Sequence, residues 1–196
     1  MEQFLISPSE FVQAFADEWF DAVDQGRVPK EGPYGSEDDT WTGFIEGEDG
    51  VLDRLRYRLK NGNNIQYAFQ SIFRFDAAYC MDRDDHPVCF TAFIEHEKGN
   101  HPEDEFQKLI LVRAPLKVMI FYDWGEFEKN SQFRQNWVKN KLDWFASALQ
   151  RANALCPEDP ATTYLFFIGR RRTATSNLEW FHASNLSLEP VPLERK

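Results

Sequence analysis

Glu95 and Glu97 stand two residues apart in the run Glu95-His96-Glu97-Lys98, where an apolar stretch ends. Side chains two apart in a strand share a face, so both carboxylates can converge on one cation while His96 and Lys98 look the other way. Charges at the end of an otherwise buried strand are costly unless they bind something or are paired. Asp76 joins them if the strand that carries it pairs alongside as a hairpin. Three carboxylates from adjacent strand ends make the hard oxygen cluster that Mg²⁺ or Mn²⁺ prefers, a cation that polarises a phosphate and activates water. The competing possibility is plain ion pairing of the same acids with Arg74, Lys98 or Lys117. His96 and His101 with Glu97 would suggest zinc, but there is no helical H-E-x-x-H and no cysteine partner.

Periodicity indicates which elements hold these residues. Residues 65–81 are dominated by aromatic and β-favouring types, and within a strand expected over 72–80 residues 72–77 alternate, with Phe73 and Phe75 on one face and Arg74 and Asp76 on the other. A polar hairpin turn at 82–87 follows, and residues 88–95 form a strand antiparallel to the previous one. After Lys98, Pro102 stands at a first helical position. Glu103, Asp104 and Glu105 crowd the turn where the helix dipole favours negative charge. Phe106, Leu109 and Ile110 form the buried stripe of this helix and Pro115 ends it, with Gln107 and Lys108 either facing the same site or, by default, forming a solvated flank. Residues 116–122 are apolar on both faces apart from Lys117, the pattern of a central strand covered on both sides. Strand, helix and strand at this spacing allow the second strand to lie parallel to the first.

The remaining chain supplies the covering layers. Ser7-Pro8-Ser9-Glu10 combines an N-cap, a first-turn proline and a capping box, and starts a helix over residues 8–24 with Phe11, Phe15 and Trp19 on its buried side. Residues 25–50 are rich in glycine, proline and acid and read as a surface loop or flap, tacked down by Trp41 and Phe44. Residues 51–60 read as a helix turning into a strand. A long helix over residues 131–155 is marked by Phe133, Trp137, Leu142, Phe145 and Leu149, with Lys139 and Asp143 paired at i,i+4. Two further strands are expected at 162–169 and 177–183, then an irregular tail at 186–196. The whole reads as one domain.

This order of helix, strands, carboxylate strand, helix and buried strand resembles the PD-(D/E)XK, or restriction-endonuclease-like, nuclease superfamily. The resemblance spans residues 55–122 and implies an α/β fold, a mixed central sheet flanked by helices. It implies Asp76 and Glu95 as metal ligands, Glu97 at the position where the family most often has lysine, and a divergent E-x-E motif. Glu97 then completes the metal shell or positions the water, Lys98 steadies the developing phosphate charge, and Glu18 is an accessory acid. The implied activity is Mg²⁺- or Mn²⁺-dependent hydrolysis of phosphodiester bonds in nucleic acid.

Composition bounds these readings. A hydrophobic fraction of 42% with 15% aromatics argues for a folded core. No apolar run reaches about 18 residues and no signal peptide opens the chain, so the expectation is a cytoplasmic protein without a membrane segment. Cys80, Cys89 and Cys156 are too widely spaced for a disulfide framework or a zinc ribbon and read as reduced, mostly buried thiols. A net charge of −10 is awkward for a nucleic-acid enzyme, since affinity for phosphates comes from lysine and arginine. Arg170-Arg171-Arg172 offers one basic face, and a homodimer would concentrate such arginines in a cleft. The same charge motivates an alternative: a non-catalytic domain binding a protein partner through its acidic surface. Glycine-loop phosphate binding and serine-hydrolase chemistry have no motif.

Overall fold

A computed structural model describes residues 6–30, 32–34, 38–60, 62–69, 75–83, 86–126, 131–171 and 178–195, and in it seven strands lie side by side in chain order. They are β1 (Ile65–Phe69), β2 (Ala77–Arg83), β3 (His86–Glu97), β4 (Leu116–Tyr122), β5 (Thr163–Arg171), β6 (Leu178–Ser184) and β7 (Ser187–Pro192). β1, β2 and β3 form an antiparallel meander; β3, β4 and β5 run parallel; β6 and β7 turn back antiparallel. The two parallel connections are helical crossovers, α4 (Pro102–Leu111) and α5 (Ser131–Leu155). The chain is therefore α/β with a mixed sheet.

Helices cover both faces. On one lie α1 (Pro8–Asp24), α2 (Asp38–Glu46) and α3 (Val51–Leu55). Phe11, Phe15, Trp19, Trp41, Ile45 and Leu52 pack there with Tyr79, Ile94, Ile120, Tyr122 and Phe167 of the sheet. On the other, Phe106, Leu109, Trp137 and Phe145 of α4 and α5 pack with Phe93, Met119, Phe121 and Phe166. Successive strand residues alternate between the layers, so β4 is buried at every position.

The strongest local signals act as expected. Ser7 Oγ accepts from the Glu10 N–H at 3.1 Å, Pro8 opens α1, and Gly26 takes the left-handed φ of +65° after its end. Elsewhere tertiary packing decides. The segment at 25–50 contains α2, because Trp41 and Ile45, four apart, bury against α1 and the sheet. Residues 51–60 contain no strand: the stripe of Val51, Leu52 and Leu55 is buried, whereas Tyr57 of the rival alternation is 61% exposed. A 3-10 turn, Arg56–Arg58, follows instead. β2 begins at Ala77 rather than 72, leaving Asp76 one residue ahead of it; Phe73 and Arg74 lie outside the described residues. The tail forms β7, whose Pro190 and Pro192 are compatible with an edge strand. Cys156 is exposed rather than buried.

Candidate metal centre

The pleat of β3 sends Glu95 toward the α4 face and His96 toward the α2 face. Ala77 of β2 is opposite Ile94, so Asp76, just ahead of Ala77, arrives beside Glu95. Its Oδ2 accepts the backbone N–H of His96 at 2.8 Å. α4 then delivers a third carboxylate. Phe106 and Leu109 anchor the helix in the core, which turns Glu105 and Lys108, three apart on one flank, toward the strand end. One oxygen each from Asp76, Glu95 and Glu105 lie within 4.8 Å of one another.

Glu95 is the unusual member. It has no exposed surface, and neither carboxylate oxygen makes a hydrogen bond among the described residues. Burial pushes the pKa of Glu95 up to about 11, with Asp76 and Glu105 adding to the rise and Lys108 opposing it. Lys108 Nζ stands 3.5 Å from Glu95 Oε1 and also pairs with Glu105. Burial depresses the Lys108 ammonium, but the neighbouring acids outweigh this and its pKa ends above the ordinary value. Such an acid-rich pocket suits a hard divalent cation, whose ligands are oxygens.

The four residues picked from sequence separate. Asp76 and Glu95 come together. Glu97 shares the face of Glu95 but lies outside the group of three, and accepts the backbone N–H of Gly99; burial raises its pKa. Lys98 lies past the end of β3, its carbonyl accepting Trp124 Nε1 at 3.0 Å, and the ammonium brought to Glu95 is that of Lys108. Glu18 is elsewhere, buried on α1 and paired with Arg27 and Arg58. Lys117 is wholly buried and pairs with Glu158, not with the cluster. Glu105 was legible only as a first-turn acid, and Lys108, raised with Gln107 as able to face the site, defaulted to a solvated flank, since the sequence does not tell which flank of a crossover helix meets the strand end.

Behind β3, His96 belongs to a buried relay. Its Nδ1 lies 2.5 Å from Glu46 Oε1 and its Nε2 2.8 Å from the Tyr122 hydroxyl, which accepts Trp41 Nε1 at 2.6 Å. Indole can only donate, and a hydroxyl has one proton and two acceptor lone pairs, so Tyr122 accepts from Trp41 and, with a neutral His96 whose Nδ1–H donates to Glu46, can donate its own proton to Nε2. Burial raises the pKa of Glu46. Tyr122 lies opposite Gly169 of β5, where a Cβ would come within 2.6 Å of the tyrosine ring. The chain has no significant match to a family model, a curated protein or a solved structure.

Proposed function

We propose that this protein is a divalent-metal-dependent nuclease with a restriction-endonuclease-like core, using Asp76, Glu95 and Glu105 as its carboxylate set. The observation that carries the reading is Glu95, a wholly buried carboxyl group that faces two further acids and makes no hydrogen bond among the described residues, with the Lys108 ammonium 3.5 Å from one oxygen. Buried polar atoms in folded proteins are nearly always satisfied, and a hard cation would satisfy these. When bound, Mg²⁺ or Mn²⁺ would supply Lewis-acid polarisation of a phosphate. Around it, the His96 amide orients Asp76, α4 carries Glu105, and Lys108 brings a positive charge toward which negative charge on a phosphate can develop. Glu97, on the same face of the strand, is a further acid for orienting water.

The strand order supports the topology. An antiparallel β1-β2-β3 meander followed by α4 and a parallel β4 is the arrangement that the superfamily resemblance implies. Arg170, next to the last residue of β5, lies near the same edge of the sheet, with its guanidinium on Asp123 at 2.8 Å and its side chain 43% exposed. No described helix is long and apolar enough to cross a membrane.

The reading is tested by Mn²⁺ calorimetry and by cleavage of labelled DNA and RNA with the wild type and with Asp76→Ala, Glu97→Ala and Lys108→Met. Asp76→Ala is expected to abolish tight Mn²⁺ binding. Lys108→Met is expected to retain the metal and lose about 10²-fold in rate, and Glu97→Ala to bind metal close to normally. A wild type that neither binds Mn²⁺ nor cleaves either substrate sinks the proposal and leaves the protein-interaction reading.

A further inference from the structure

His96 acts on both faces of β3. Its backbone N–H holds Asp76 at 2.8 Å on the side of the carboxylates, while its imidazole is gripped on the opposite side at both nitrogens. Asp76 precedes the first ladder pair of β2, Ala77 with Ile94, so the His96 amide is a bond that sets its carboxylate beside Glu95. The peptide plane carrying that amide also joins Glu95 to His96. Any rotation of this unit shifts two of the three carboxylates together.

What resists that rotation comes from other elements. Glu46 ends α2 and Tyr122 ends β4, and Trp41, also on α2, fastens the Tyr122 hydroxyl from behind. The side chains of His96 and Glu46 are 1% and 4% exposed. Hydrogen bonds shielded from water in this way are strong and directional. We propose that Glu46 and Tyr122 are positioning residues for the carboxylate centre, holding through His96 the amide that sets Asp76 beside Glu95. This rests on the metal-centre reading given above. It adds a dependence of that centre on α2, which contributes no ligand.

Two readouts test it, Mn²⁺ affinity by calorimetry and hydrogen exchange of the His96 amide without metal. Tyr122→Phe and Glu46→Leu are expected to weaken Mn²⁺ binding tenfold or more, in the range found when partners behind metal ligands are removed. Glu46→Gln keeps an acceptor for Nδ1–H and is expected to stay within about threefold of the wild type. Glu158→Ala, which breaks a buried pair at the opposite end of β4, serves as the destabilised control and is expected to bind normally. The same two variants, and not the control, are expected to speed His96 amide exchange at least tenfold. Wild-type affinity in Tyr122→Phe, or equal loss in Glu158→Ala, overturns the inference. If the wild type itself binds no Mn²⁺, the metal reading fails alone, and the amide exchange still decides whether the relay holds His96. Should Glu46→Leu not fold, Tyr122→Phe decides.

Discussion

Glu95 titrates near 4.5 in an unfolded chain and is pushed up to about 11 by burial in the folded one. Between those values the folded state keeps a proton that the unfolded state has released. The stability this group contributes is therefore full below about pH 4.5 and is lost progressively as pH rises toward about 11. Glu95→Gln keeps the neutral shape and removes the titration. Denaturant unfolding of this variant is expected to show a flatter pH dependence between about pH 6 and 9 than the wild type; parallel curves would count against the assignment. A cation requires the carboxylate form, so Mn²⁺ loading at neutral pH is expected to release about one proton. Calorimetry in two buffers of different ionisation enthalpy measures that number, and a heat independent of buffer contradicts it.

At the scale of elements, β4 carries a polar group at each end, Tyr122 in the relay and Lys117 at its start. Lys117 Nζ pairs with Glu158 and donates to the Tyr164 hydroxyl at 2.8 Å, and that hydroxyl donates to Glu158 at 2.7 Å. Burial pulls the Lys117 pKa down and Glu158 opposes it. Removing one partner strands a buried charge, so Glu158→Ala is expected to cost about 3–5 kcal/mol in denaturant unfolding. Lys117→Met added to it is expected to recover most of the loss, and failure to do so would argue against the pair.

α1, α5 and β4 were legible because capping chemistry or an unbroken apolar period defined each without help from the rest of the fold. The hairpin beside the site was not, since residues 65–81 are β-favouring throughout and nothing local marks where β1 ends and β2 begins. α2 was hidden by acidic, glycine-rich surroundings and owes its place to Trp41 and Ile45. At the site, period-two alternation pointed to Glu95 and to its facing partner Asp76. It also nominated Glu97, overlooked Glu105 and left Lys108 undecided between site and solvent, because membership there depends on where a crossover helix sets its flank.

Across the whole molecule, parallel strands β3, β4 and β5 end at one edge, and there the chain gathers its chemistry: Glu95 and Glu97, then Asp123, then Arg170. Ligands of open α/β sheets favour that edge, where strand ends open into loops. The outer strand β7 is blunted by prolines that cannot donate to a neighbour, which discourages edge-to-edge pairing with another copy. A sheet covered on both faces also transmits displacement across its width, since tightly packed interiors have little slack.

Gly169 shows how far that reaches. Its lack of a side chain gives the Tyr122 ring its resting place, so a single methyl group there would act as a wedge on the aromatic ring with no polar atom altered anywhere in the protein. Gly169→Ala is expected to cost about 1–3 kcal/mol in unfolding and to weaken Mn²⁺ binding as Tyr122→Phe does. The hydroxyl would still be present, merely displaced. An unchanged Mn²⁺ affinity in a folded Gly169→Ala protein would show that the ring can shift without disturbing the carboxylates. A reduced one would make a hydrogen atom two strands away from Glu95 a determinant of what the centre can hold.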